Sequence, residues 1–249
     1  MKDEALLRYS RQIMLPEMDV AGQQKLVDAT VLIVGVGGLG CPAAMYLAAA
    51  GVGHLILADD DAVELTNLQR QIAHSQADLG KSKVESAKAK LEGLNPDVKL
   101  TLINSRLEGS NLDDAVEQAD LVLDACDNFT TRFAVNRACI QHGVPLVSGA
   151  AIRMEGQVAV FDSNQLESPC YQCLYQEGDD ADASCATNGV MAPVVGIIGS
   201  MQAMEAIKLL CGIGESLVGR LLLLDAHSMQ WREMKLPKDP DCPACAGSK

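Results

Sequence analysis

Residues 30–59 read TVLIVGVGGLGCPAAMYLAAAGVGHLILAD, with no Asp, Glu, Lys or Arg before the final aspartate. An uncharged apolar run of this length invites a membrane reading, but Gly35, Gly37, Gly38, Gly40, Pro42, Gly51 and Gly53 break it into short pieces. TVLIV at 30–34 and LILA at 55–58 have the pattern of parallel strands covered on both faces. Between them, 39–50 is alanine-rich and predicts a helix. The glycines stand where strand turns into helix. There they permit a tight turn and a close approach of backbone to an anion, which the helix N-terminus meets with free N–H groups. Asp59 ends the second strand, where a carboxylate can take ribose hydroxyls. The pattern alone says nucleotide, with a dinucleotide its commonest occupant and simple packing the competing explanation for the glycines.

Working outward, residues 1–27 read as a helical arm broken at Pro16. Downstream, helices at 81–94, 111–118 and 130–142 alternate with strands at 98–103, 121–123 and 145–147. That alternation predicts an α/β fold with a Rossmann-like, doubly wound, mainly parallel sheet. After about Ala150 it lapses. Strands at 156–161, 220–224 and 229–236, with a long helix at 195–210, predict an antiparallel C-terminal half. Residues 178–184, GDDADAS, have the small acidic composition of a mobile loop. One continuous domain over 1–249 is expected, with its arm at 1–27, a nucleotide-binding half at 28–150 and a second half at 151–249.

The 249 residues carry 20 basic and 33 acidic side chains, a net charge of −13. So negative a surface repels phosphate backbones and anionic lipid, so neither nucleic acid nor membrane is an expected partner. Aromatic residues, at 3%, leave little for base-stacking platforms. The N-terminal stretch MKDEALLRYSRQ lacks the apolar segment of a signal peptide, and a cytoplasmic location is expected.

Asn67-Leu68-Gln69-Arg70-Gln71 and Lys83 follow within 24 residues of Asp59. They supply an amide and two cations where a nicotinamide enzyme needs only a pyrophosphate turn. Added cations suit ATP, whose departing pyrophosphate must be neutralised. LVLDACDN at 121–128 brings Asp127 and Asn128 to the carboxyl tip of another strand. A carboxylate beside triphosphate cations is a natural Mg²⁺ ligand. Taken singly, each of these residues reads as exposed polar surface. In succession after strands they read as a site, and an NAD-dependent oxidoreductase on the same fold is the rival.

Cys170-x-x-Cys173 and Cys242-x-x-Cys245, beside Pro169 and Pro243, account for four of nine cysteines. Four thiolates are the usual ligands of a closed tetrahedral Zn²⁺ site, which here ties the end of the sequence to a mid-chain loop. A redox dithiol is the alternative, although neither pair opens a thioredoxin-like helix. Cys41, Cys126, Cys139 and Cys211 fall on or beside elements expected to be buried and read as core. The four histidines lack metal spacing and no G-x-S-x-G occurs, which leaves hydrolase readings without support.

Together VGVGGLG (34–40), NLQRQ (67–71), GKSKVESA (80–87), LVLDACDN (121–128), SGAAIRMEGQ (148–157) and NGVMAPVVGIIGSMQAMEAIKLL (188–210) resemble the ThiF/MoeB/HesA family, relatives of the ubiquitin-activating enzymes. The resemblance runs from about Leu7 to Cys245. AIRMEGQ, GVMAP and REMKL are most similar to its MoeB, or molybdopterin-synthase adenylyltransferase, branch, whereas SMQWR (228–232) leans toward the thiamin branch. The resemblance implies ATP-dependent adenylation of the C-terminal glycine of a ubiquitin-like sulfur carrier protein ending in Gly-Gly, with release of pyrophosphate. It points first to molybdenum cofactor biosynthesis, with thiamin or tRNA thiolation as alternatives and a separate sulfurtransferase acting downstream. It places nucleotide contacts on the turn glycines Gly35, Gly37, Gly38 and Gly40, on Asp59, Thr66, Asn67, Leu68, Gln69, Arg70 and Lys83, and on Asp127 and Asn128. Asp127 is also its magnesium ligand, and the four paired cysteines belong to its pattern. Arg11, in RYSRQ (8–12), matches an arginine given to the neighbouring subunit's ATP site, which implies a homodimer; on composition alone it is a solvated helix arginine. Cys185 matches a position that forms a thioester or handles sulfur in some relatives, although Asp179, Asp180 and Asp182 nearby disfavour a thiolate.

Overall fold

A computed structural model describes residues 1–176 and 188–246. The predicted loop at 178–184 and Cys185 lie outside the described residues. Eight strands form one sheet in the order β3-β2-β1-β4-β5-β6-β7-β8. They are β1 Thr30–Val34, β2 His54–Ala58, β3 Lys99–Ile103, β4 Leu121–Asp124, β5 Leu146–Ile152, β6 Glu155–Phe161, β7 Arg220–Asp225 and β8 Gln230–Lys235. The first five in sequence are parallel, and β5 through β8 pair antiparallel. The helices are α1 Asp3–Arg8, α2 Ser10–Ile13, α3 Asp19–Asp28, α4 Gly40–Ala50, α5 Lys83–Leu94, α6 Gly109–Glu117, α7 Phe129–His142, α8 Tyr171–Leu174 and α9 Ala192–Cys211. The mixed sheet is the one the sequence predicts.

Alternation along the central strands explains their unbroken apolar character. Val31, Ile33, Leu55, Leu57, Leu121 and Leu123 point into one core, and Leu32, Val34, Ile56 and Val122 into the other. Both faces are dry, so no polar side chain interrupts the run. Helix α4 stops at Gly51, which takes the left-handed conformation at φ 94°. Helix α5 starts one turn from Gly80, with Ser82 accepting the Glu85 N–H as its cap.

β5 is longer than its sequence suggests. Leu146 and Val147 have strand-like side chains, but the weak strand formers Ser148 to Ala151 continue the strand to Ile152, and Ser148 to Ile152 pair with Glu155 to Ala159 of β6. Ser-Gly-Ala-Ala is a poor strand former, and pairing overrides that weak local preference. β5 thereby becomes the seam, parallel to β4 on one edge and antiparallel to β6 on the other.

By length and composition α9 could span a membrane, yet half of its apolar window is buried. It packs across α4, β5 and β6. Its start presses Val195 against the glycine turn, where a Cβ at Gly38 would come within 3.0 Å of Val195.

Candidate active site

Between β1 and β4 the chain's connections diverge to opposite sides, and an open α/β sheet binds ligands at the carboxyl end of such a switch point. A cleft of about 510 Å³ lies there. Among the predicted residues, Gly35, Gly37, Gly38, Asp59, Arg70, Lys83, Asp127 and Asn128 line it. Gly35 has φ 94°, and a side chain there would stand 2.7 Å from the Ala125 carbonyl oxygen. Gly40 is a packing glycine that does not line the cleft; its missing Cβ makes room for the Gly35 carbonyl.

Asp59 holds the turn before any ligand arrives. Its Oδ2 accepts the Val36 N–H at 2.7 Å and its Oδ1 the Asp61 N–H at 2.9 Å. Burial raises its pKa, opposed by Lys83 and the two N–H donors. Lys83, the first residue of α5, is aimed back at β2 by the bridge between Ala62 and Ser82. Its side chain is 7% exposed, with Nζ 2.6 Å from Asp61 and 3.9 Å from Asp59. Arg70 donates from Nη1 to the Thr66 carbonyl at 3.1 Å.

Thr66, Asn67, Leu68 and Gln69 do not line the cleft. Asn67 instead accepts the Glu64 N–H at 3.0 Å, closing a capping box around the short 3₁₀ turn Leu65–Asn67 that sets Arg70 in place. Asp127 and Asn128 sit beyond the strand tip, since β4 ends at Asp124. Asn128 caps α7 by accepting the Thr131 N–H at 2.9 Å. Arg11 lies exposed on α2, outside its own chain's cleft.

The sequence reading missed a buried ion pair. Arg132 of α7 donates to Asp124 at 3.0 Å and to the Ser148 hydroxyl at 3.3 Å from Nη1, while Nη2 donates to the carbonyls of Cys126 and Gly149. One guanidinium thus holds the loop carrying Asp127 against β5. Asp124 and Arg132 are separated by a strand end, a loop and a helix start, so no periodicity links them. Cys126 is not core, as the sequence suggested, but half-buried on the cleft wall. Its thiol donates to Asp124 at 2.7 Å, and burial together with that carboxylate pushes its pKa well up. Three aromatic rings meet at the far end, where Tyr171 and Tyr175 lie tilted with centroids 5.0 Å apart and Phe129 meets Tyr175 edge-on at 5.7 Å.

Beneath the turn, buried His74 has Nε2 at 3.1 Å from the Val36 carbonyl and Nδ1 at 2.9 Å from the Ser86 hydroxyl. A carbonyl can only accept, so the neutral ring carries its proton on Nε2. Burial lowers the pKa, with nearby Lys83 adding to the effect. The unfolded chain therefore takes up a proton before the native one does, and stability is lost as pH falls through the ordinary value near 6.5. Urea midpoints measured from pH 8 to 5.5 should show this decline, and His74→Gln should flatten it; an equal decline in both proteins rules His74 out as its source.

The four paired cysteines converge. Sγ separations are 3.6 Å for Cys170–Cys242, 3.9 Å for Cys170–Cys173 and 3.5 Å for Cys173–Cys245. A tetrahedron with Zn–S bonds of about 2.3 Å has edges of about 3.8 Å, so the cluster fits zinc. These residues would hold the metal behind α8, whose Tyr171 faces the cleft.

Residues 9–244 match the profile of the ThiF family. The chain is 48% identical to the sulfur carrier protein ThiS adenylyltransferase of Escherichia coli (strain K12) over 248 residues, covering 100% of this chain and 98% of that protein. It is 50% identical to the molybdopterin-synthase adenylyltransferase of the same organism over 245 residues, covering 98% of each. Among solved structures, E. coli MccB with ATP aligns with a TM-score of 0.84 at 26% identity, covering 96% of this chain and 74% of that one.

Proposed function

This chain belongs to the ThiF family and is an adenylyltransferase of sulfur carrier proteins, and we propose that it activates the C-terminal glycine of a ubiquitin-like carrier of the molybdopterin-synthase small-subunit type. The observation that carries the nucleotide chemistry is the cleft itself, which sets Arg70, Lys83 and Asp127 around a glycine turn at the switch point. The choice of branch rests on AIRMEGQ, GVMAP and REMKL, which contribute Glu155, Gly156, Gln157, Val190 and Arg232 to the same cleft. A second reading, the thiamin carrier, is favoured by SMQWR and by a nearly equal identity to that relative.

In this reading the 28–150 half seats ATP with its phosphates on Gly38 and its ribose against Asp59. The 151–249 half receives the carrier's tail. The terminal carboxylate attacks the α-phosphorus in line, the bond to the pyrophosphate oxygen breaks, and an acyl-adenylate remains. Arg70 and Lys83, with Arg11 of the partner subunit in a homodimer, offset the charge that develops on the phosphates. To do so Lys83 exchanges its exposed partner Asp61 for phosphate oxygens. Asp127 would hold Mg²⁺, which supplies further charge neutralisation when bound. No covalent enzyme intermediate is needed, so Cys185 has no part in this step. The zinc is structural, a sulfurtransferase completes the thiocarboxylate, and the reaction takes place in the cytoplasm.

ATP–pyrophosphate exchange with purified carriers is the test. Exchange should be strongest with the molybdopterin-type carrier and disappear when its last glycine is removed. Exchange that survives that truncation, or binding of NADH in place of ATP, rejects the reading.

A further inference from the structure

Gln71 closes the NLQRQ segment, yet its neighbours' roles leave it without one. It is 4% exposed, lines the cleft, and its Oε1 has no hydrogen-bond partner among the described residues. The other buried side-chain atoms in that condition, Asn136 Nδ2, Ser163 Oγ and Gln202 Oε1, belong to residues outside the cleft lining. Burying an amide with a bond unmade costs stability, and a protein of this size carries few such groups. The position is also held from two sides. The Gln71 N–H donates to the Asn67 carbonyl, and the Gln71 carbonyl accepts from His74, whose ring is fixed under the glycine turn. The carboxamide is thereby laid against the turn, so that a Cβ at Gly37 would lie 3.5 Å from Nε2.

We infer that Gln71 is a further ATP-binding residue. Its amide N–H donates to an oxygen of the phosphate chain seated on the turn, and its Oε1 accepts from a water ordered by those phosphates. The inference rests on the reading of this cleft as an ATP site. A neutral donor suits this place, because Arg70 and Lys83 already supply charge and a third cation would oppose release of pyrophosphate. That Oε1 has no partner among the described residues is the cost of keeping the amide preorganised.

Gln71→Met keeps the length of the side chain and removes both polar ends. Equilibrium binding of ATP and of adenosine to the full-length protein, with Mg²⁺ present, separates a phosphate contact from a nucleoside one. The expected result is about a 10-fold weaker Kd for ATP, unchanged adenosine binding, and a Tm equal to or above that of the wild type, since no native bond is lost. Gln71→Glu, which sets a carboxylate against phosphate, should weaken ATP at least as much. An ATP Kd within twofold of wild type in both variants, or an equal loss for adenosine, overturns the inference. Wild-type protein that binds ATP but shows no exchange with any carrier refutes the adenylation reading and leaves the Gln71 contact measured on its own.

Discussion

Asp127→Ala should abolish ATP–pyrophosphate exchange, by at least about 10²-fold, and leave the protein folded. Asp127 is exposed on the cleft wall and forms no ion pair among the described residues, so the fold does not lean on it. Its loop is held in place by neighbours instead, through Arg132 and the carbonyl of Cys126. The expected Tm is therefore that of the wild type. Asp124→Ala makes the contrast, although only three residues away. It strips the carboxylate from a guanidinium that is 7% exposed, and stranding a buried charge costs about 3–5 kcal/mol. That variant should lose stability and activity together. A folded Asp127→Ala protein with normal exchange removes Asp127 from the chemistry.

Cys242→Ser should release zinc and lower the Tm by roughly 10 °C or more. Structural zinc is worth several kcal/mol, and each kcal/mol moves the Tm of a domain this large by about 2–4 °C. Among the described residues beyond Lys235 no strand or helix holds the segment, and an anchor is the sulfur cluster that Cys242 and Cys245 form with Cys170 and Cys173. Burial raises the pKa of Cys170 to about 11. Freshly purified reduced protein should contain about one zinc per chain. A metal-free preparation, or a Tm unmoved by Cys242→Ser, overturns the assignment. Because Tyr171 follows Cys170 and faces the cleft, some loss of carrier activation should accompany the loss of metal.

The two tests divide along what was visible before folding. Residues 30–59 announce strand, turn, helix and strand because each signal is contained within a few residues. Apolar runs covered on both faces, glycines at the turn and a carboxylate at the next strand's end need no distant partner to be recognised. The two Cys-x-x-Cys pairs are equally legible, since two thiolates three apart already reach one metal. Lys83 and Arg70 could be named from charge and position alone. The segment 66–69 could not be placed the same way, because Asn67 is consumed by a local capping box that only backbone geometry reveals.

Tertiary structure decided the rest. The extension of β5 through Ser148 and Gly149 comes from pairing with β6, against the preference of those residues. The Asp124–Arg132 pair, the gathering of Phe129, Tyr171 and Tyr175, and the burial of the Gln71 amide against the glycine turn are relations between segments that only the folded chain brings together. Local sequence specifies the conformations open to each segment, and so determined the sheet, the glycine turn and the pairing of the four cysteines that form the sulfur cluster. Which side chains are dry, paired or left waiting for a ligand depends on long-range packing, where burial changes the energy of every polar group it touches.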